Sequence, residues 1–390
     1  MINKNVMDNY TTAELSMLLN IIKNNEISVI SGGVLQEFEK KIAKFFGSQF
    51  AISTCNGTNA IYLALFALGI EEDDEVILPV YAFHAIGVAI CQIKATPIFC
   101  DIDKKTLTID FQDVEQKISD KTKAVIILET WGNIANLDEM MKLKKKYPNI
   151  KFISDSSHAH GAKWRGSYLG KYFDAIAVSF GKGKMLSGGE LGALLVNKTY
   201  YRDRALLYSH VNRVPKDLIG YEYKGIKNAV GLKMRPHALA LYIALLKLKR
   251  FNKYFKKLQE NMNFFEKELD KLSMFKCAKS YFHAERSYWK IPLIINLDVI
   301  DDGEYEKIYS FLLNRGLRVE RDNYRILLHK NTIFTKFYRI KCNSDYFNAE
   351  SLKNKIIHIP EYLIYYKKNI AQILNILRDC ERNFCKGEKK

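Results

Sequence analysis

Between Phe50 and Val196, short apolar runs alternate with helical segments, and this alternation limits the architecture more than any other feature. Phe50–Ser53, Glu75–Leu78, Thr96–Cys100, Ala124–Leu128, Phe152–Ser154, Asp174–Phe180 and Ala193–Val196 have the length and character of strands. Ala60–Leu68, Ala85–Ile93, Phe111–Ile118 and Leu137–Lys146 read as the helices between them. Apolar runs of this kind are buried on both faces. The pattern predicts an α/β fold with a mostly parallel central sheet flanked by helices. Upstream, residues 1–30 read as a helical arm. Leu35–Phe46 reads as an amphipathic helix, from the spacing of Leu35, Phe38, Ile42, Phe45 and Phe46.

The texture changes near Pro236. His237–Phe255 predicts one long helix and Leu258–Leu272 a second. A strand at Ile291–Leu297, a helix at Tyr305–Leu313, a short strand at Leu317–Glu320 and a final helix at Lys367–Arg378 follow. The expected organisation is a large domain over residues 1–250 and a smaller C-terminal α+β domain over 251–390.

Apolar residues make up 48% of the chain and charged residues 26%, which excludes a largely disordered protein. The formal net charge of +17 is spread over predicted helix surfaces such as Lys144–Lys146 and Lys256–Lys257. With no zinc-finger or RNA-binding signature beside it, this charge suits phosphate-bearing small molecules better than nucleic acid. The seven cysteines form no CxxC pair, and Met1–Tyr10 is too polar for a secretory signal. No run reaches the ~18 apolar residues of a membrane span. A reducing cytoplasm and no membrane insertion are expected.

Three segments carry chemistry. Asn56-Gly57-Thr58-Asn59-Ala60 leaves a strand and opens a helix, where free N–H groups attract a phosphate and Gly permits close approach. Asp155 ends a strand, where parallel sheets bind ligands, and Ser156-Ser157-His158-Ala159-His160-Gly161-Ala162 follows. The two histidines, at i and i+2, would diverge on a helix, so a shared metal is not expected. Ser179-Phe180 ends another strand and runs into a Gly-rich turn holding Lys182 and Lys184. A lysine in an apolar or partly cationic setting deprotonates more easily and attacks carbonyls. A phosphate cradle, a strand-end carboxylate and a nucleophilic lysine are the parts that pyridoxal phosphate requires.

With these segments in order, the chain resembles the DegT/DnrJ/EryC1/StrS sugar aminotransferases, within the fold type I pyridoxal phosphate enzymes. The resemblance runs in register over residues 30–250 and continues weakly to the end. Ser31-Gly32-Gly33 with Glu37-Phe38-Glu39 fits the family's opening. Cys55–Ala60 fits its phosphate turn, and Asp74–Pro79 with Tyr81 and Phe83 fits its Asp-Glu-Val-Ile-x-Pro stretch. Ala95–Asp103, Asp155–Ala162, and Ser179-Phe180 with Lys184 and Gly189–Gly192 are further matches. The resemblance implies that Lys184, rather than Lys182, forms the Schiff base and that Asp155 pairs with the pyridine nitrogen. It places His158 near the ring oxygen, Phe83 on the ring face, and Gly57, Thr58 and Ser179 at the phosphate. Ser31, Trp131 and Glu190 are placed on the substrate side. Leu191 replaces a usual Gly, Ala82 a usual Thr, and Glu129-Thr130-Trp131-Gly132 a His-Leu-Tyr-Gly-like segment. Lys233 stands where the family has an Asn that reaches the neighbouring subunit's phosphate, and is expected to make a cationic contact instead.

The implied activity is ping-pong transamination from glutamate or glutamine to a keto-sugar, usually nucleotide-linked, for polysaccharide, lipopolysaccharide or glycan synthesis. Pyridoxamine phosphate would be the alternate form of the cofactor, and a homodimer is expected. The alternatives are a sugar dehydratase, an aminotransferase of a smaller phosphorylated or free ketone, and a non-enzymatic regulator. Related 3-dehydratases carry His at the lysine position, so Lys184 argues against the first. Retention of Lys184, Asp155 and Ser179 together argues against the last.

Overall fold

The computed structural model describes residues 5–213, 226, 228–300, 303–342 and 345–385. The arm carries α1 (Thr12–Lys23), opened by a reciprocal capping box between Thr11 and Glu14. In α2 (Gly33–Phe46), Val34, Leu35, Phe38, Ile42 and Phe46 form one buried face. The helix stops at Gly47, whose φ of 73° is the left-handed conformation Gly adopts without strain.

The alternating region then follows: β1 (Phe50–Thr54), α3 (Gly57–Ala67), β2 (Glu75–Pro79), α4 (His84–Gln92), β3 (Thr96–Cys100), α5 (Phe111–Gln116), β4 (Thr122–Leu128), α6 (Leu137–Lys146) and β5 (Lys151–Asp155). A two-strand excursion, β6 (Lys163–Trp164) and β7 (Ser167–Tyr168), precedes β8 (Ala175–Ser179), β9 (Gly192–Val196) and α7 (Thr199–Ser209). The sheet order is β1-β9-β8-β5-β4-β2-β3. From β8 to β3 the strands are parallel, and β9 runs antiparallel to both its neighbours.

The two-residue side-chain period divides each strand between two cores. In β4, Val125 and Ile127 join one cluster with residues of α2, α6 and the long helix described next. Ala124, Ile126 and Leu128 join the other, against α3, α4 and α7. Both faces are thereby covered, as the near-continuous apolar runs imply.

One expectation fails after Pro236. The predicted pair of helices is a single helix of 32 residues, α8 (Ala238–Leu269). Lys256 and Lys257 lie on its solvent face, while Phe251, Tyr254, Phe255, Leu258, Met262, Phe265 and Leu269 continue one buried stripe. No Gly or Pro interrupts that stripe, so nothing breaks the helix. Position 250 lies inside it.

Beyond α8 come β10 (Phe275–Cys277), β11 (Ala284–Glu285), β12 (Lys290–Ile295), α9 (Tyr305–Asn314), β13 (Glu320–Arg321), α10 (Phe347–Ser351), β14 (Ile356–Pro360), α11 (Glu361–Ile364) and α12 (Lys367–Phe384). A second, antiparallel sheet has the order β10-β12-β14-β13. Sequence reading missed two of its strands, β10 and β14. The short strand expected at Leu317–Glu320 sits slightly later, and the final helix runs six residues further than expected, to Phe384.

Candidate active site

The parallel strands end on one side of the sheet, and the chemistry-bearing residues collect there. Asp155 is the last residue of β5 and Ser179 the last of β8. Gly57 and Thr58 open α3 directly after β1, and Phe83 precedes α4. Lys184 lies in the β8–β9 connection. Together with His158, these seven predicted residues line one cavity of about 260 Å³. Lys182 does not: it is exposed and faces a separate cavity.

The cradle is built from the helix start. The Asn56 side chain caps α3 by accepting the Asn59 N–H at 2.8 Å. The first-turn N–H groups of Gly57 and Thr58 have no intrahelical acceptor and are available to a ligand. A Cβ on Gly57 would lie 2.6 Å from Ser179 Cβ, so only Gly lets α3 start this close to the end of β8. The Ser179 hydroxyl oxygen accepts the Gly181 N–H at 3.2 Å, which leaves its own proton for an acceptor in the cavity.

Asp155 is buried and accepts the Ser157 backbone N–H at 3.0 Å. Burial raises its carboxyl above the ordinary value, against the Ser157 hydrogen bonds and the charge of Lys184. Burial likewise lowers the Lys184 amine to about 7; Asp155 opposes this and the nearby Lys290 adds to it. The amine is therefore substantially deprotonated at neutral pH, the state a nucleophile or base requires.

His158 and His160 hold the walls. His158 Nδ1 accepts the Trp131 backbone N–H at 3.2 Å, so the neutral ring carries its proton on Nε2, 3.4 Å from the Tyr324 hydroxyl. Burial, then the charges of Lys184 and Lys290, push the His158 ring well below its ordinary value and keep it neutral. His160 accepts the Leu186 N–H through Nδ1 and donates from Nε2 to the Ser179 carbonyl at 3.1 Å. It ties the lysine loop to β8, and burial lowers its ring to about 3.

Other predicted residues lie elsewhere. Trp131 is fully buried behind His158, stacked on its ring at 5.3 Å, and does not line the cavity. Glu129 also points inward, with its carboxylate on the Ala135 N–H and the Ser154 hydroxyl. Burial raises it to about 8. Ser31, Glu190 and Lys233 are exposed and outside the cavity. The structure adds residues that sequence reading missed. Trp289, Asn323 and Tyr324 complete the cavity wall, and the Lys290 amine lies 5.1 Å from the Trp289 ring centroid. All four follow α8, in segments whose local pattern is that of an ordinary strand edge and loop.

Tyr324 belongs to a polar network across the large and small sheets. The Asp322 carboxylate accepts from the Tyr81 hydroxyl at 3.0 Å and from the Tyr324 N–H at 3.1 Å, with His358 Nε2 at 3.3 Å. The Trp131 indole donates to the Tyr81 hydroxyl at 3.2 Å. Beyond Phe83, Asn323 and Tyr324, the cavity meets a wider cleft of about 580 Å³ that includes His84, Arg321 and Arg325.

A carboxylate and a depressed-pKa lysine facing one cavity, beside a helix-start anion cradle, define the site of an enzyme that works through an anchored carbonyl cofactor. Residues 9–378 match the DegT/DnrJ/EryC1/StrS aminotransferase family. A GDP-perosamine synthase of Escherichia coli O157:H7 is 32% identical over 269 residues, which cover 67% of this chain and 70% of that protein. An aminotransferase from Psychrobacter cryohalolentis superposes with a TM-score of 0.87 at 21% identity, over 97% of this chain and 98% of the other. An E. coli GDP-4-keto-6-deoxy-D-mannose-3-dehydratase, solved with bound hydrated PLP, superposes with a TM-score of 0.85 at 20% identity, over 97% of this chain and 100% of that one. The chain belongs to the DegT/DnrJ/EryC1/StrS aminotransferase family, a family of PLP-dependent enzymes. Among the described residues no helix is long and apolar enough to cross a membrane, and no cluster of three or more His, Cys, Asp or Glu could hold a metal ion.

Proposed function

We propose that this enzyme transfers an amino group from glutamate or glutamine to a nucleotide-linked keto-sugar, for the synthesis of surface polysaccharide, lipopolysaccharide or another glycan. The observation that carries this reading is the meeting of Lys184 and Asp155 in one cavity with the Gly57–Thr58–Ser179 cradle. The name of the E. coli relative, GDP-perosamine synthase, supports a nucleotide-linked amino sugar as the product class.

The residues fit pyridoxal phosphate. A buried carboxylate without a salt bridge among the described residues suits a protonated pyridine nitrogen, and the spare N–H groups at α3 suit a phosphate. When bound, the cofactor supplies an aldehyde for amines and a ring that accepts electrons from Cα. Lys184 would hold the aldehyde. Asp155 would keep a proton at the ring nitrogen. Gly57, Thr58 and Ser179 would bind the phosphate, and Phe83 would cover the ring. His158, with its proton on Nε2 beside Tyr324, would offer a donor near the ring's oxygen edge. The Lys184 amine, its pKa lowered to about 7, would be the base that carries a proton at Nζ from the donor's Cα to the former aldehyde carbon, and would run that transfer in reverse onto the acceptor in the second half-reaction. The cofactor would alternate with pyridoxamine phosphate between the two half-reactions.

A second copy of the chain completes this proposal. Exposed apolar side chains at Phe83, Leu232, Ile326 and Phe337 support a homodimer. Lys233, on the surface, would reach the partner's phosphate, and Ser31 and Glu190 the partner's substrate. Seven free thiols support a reducing, cytoplasmic setting. The test is the visible spectrum of the purified enzyme. A yellow band that bleaches with glutamate or glutamine, and returns with one member of a keto-sugar nucleotide panel, supports the reading and names the acceptor. A protein that takes up no pyridoxal phosphate removes it.

A further inference from the structure

Trp289 is absent from the motifs that define the site, yet it contacts Lys184, the lysine's loop and His158. The Lys184 ammonium nitrogen lies 3.4 Å from its ring centroid. Its indole N–H donates to the Gly183 carbonyl at 2.8 Å, in the lysine's own loop. The His158 ring stacks on it at 4.1 Å. It also lines two cavities: the one that holds Lys184 and Asp155, and a second of about 610 Å³ that holds Lys182, Lys290, Arg318 and Glu361.

We propose that Trp289 is a positioning residue for Lys184: its indole is the wall between the two cavities, fixing the amine in the cofactor cavity and shutting out water from the second. This rests on Lys184 being the lysine that holds the cofactor. The geometry has a chemical consequence. An amine kept from water loses its proton more readily, and burial is the largest influence on Lys184. The indole face itself favours the ammonium form, but such a contact is weaker than the desolvation of a buried lysine. Opening the wall should therefore raise the amine's pKa. The other groups facing Lys184 are Asp155 from β5, His158 and His160 from the loop after it, Tyr324 from the cavity wall and Lys290 from β12; of these, His158 and Lys290 also pack on the Trp289 ring. Asp155 favours its charged form and Lys290 opposes it.

The experiment uses the full chain stripped of cofactor. Trinitrobenzenesulfonate labelling of Lys184 is followed by peptide mass spectrometry as pH is varied, in wild type, Trp289→Ala and Trp289→Phe. Wild type should show a labelling midpoint near neutral. Trp289→Ala should move it upward by about one pH unit or more. Trp289→Phe, which keeps an aromatic wall without the N–H, should stay close to wild type. Surface lysines should label alike in all three, a pattern that general loosening would not give. If Trp289→Ala does not fold, Trp289→Leu carries the same test. An unchanged midpoint in the alanine or leucine variant overturns the proposal, and so does a phenylalanine variant that shifts as far as alanine. Uptake of pyridoxal phosphate by wild type is measured separately. Its failure would count against the function proposed above and leave the labelling result to judge Trp289.

Discussion

Replacing Glu129 by glutamine should stabilise the protein, and only above about pH 5. The carboxyl is fully buried, and burial raises it from 4.5 to about 8. The unfolded chain releases this proton above pH 4.5, whereas the folded chain keeps it until about pH 8. Between those values the folded state binds more protons, so stability falls as pH rises. At pH 7, about 2.5 units above the ordinary value, the penalty is about 3.5 kcal/mol at ~1.4 kcal/mol per unit. Glutamine has nothing to lose. Its carbonyl can accept the Ala135 N–H at 2.9 Å, and its amide can donate to Ser154 Oγ at 3.2 Å, whose proton then turns to Ser156 Oγ at 2.8 Å. With an unfolding entropy of ~2.1 cal/mol/K per residue, about 3.5 kcal/mol across this chain is worth about 4 °C. Thermal unfolding of both proteins at pH 4.5 and 7.5 reads the effect. The variant should gain several degrees at pH 7.5 and little at pH 4.5. Equal melting at pH 7.5, or the same gap at both values, would refute a neutral, buried Glu129.

Asp155→Asn should still bind the cofactor but lose turnover on the order of 10²-fold or more, as measured by steady-state transamination; a near-normal rate would refute the ring-nitrogen role. Gly57→Ala should weaken cofactor binding about tenfold or more in a pyridoxal phosphate titration. Its new Cβ meets Ser179 Cβ at 2.6 Å and must push α3 off the cradle, at a cost of about 1–3 kcal/mol. Lys182→Ala should leave the cofactor's visible band in place, because that side chain faces the other cavity.

The large sheet was legible because its physics is local. Its strands are buried apolar runs, and Asp155 and Ser179 stand at the carboxyl ends of two of them, so both could be placed from sequence order alone. Lys184 stood out through its Gly-rich turn after Ser179-Phe180. The stretch after Pro236 was harder. The expected boundary between Phe255 and Leu258 does not exist: the buried stripe continues past Lys256 and Lys257 as one helix. Trp289, Asn323 and Tyr324 reach the cavity only because the second sheet docks there, and no short-range pattern marks them. Glu129 was read as a change beside the substrate, but its side chain turns into the core toward Ser154. Trp131 likewise supports His158 from behind. A strand-end position identifies the side of the sheet, but not which way each neighbouring side chain points.

The central claim is that the Lys184 amine, facing Asp155, is the group that holds the cofactor. Borohydride reduction of the pyridoxal phosphate-loaded enzyme, followed by peptide mapping, tests it most directly. The account predicts a single phosphopyridoxyl adduct on Lys184, absent from Lys184→Ala although that variant still folds. An adduct on Lys182, or undiminished labelling in Lys184→Ala, would contradict it.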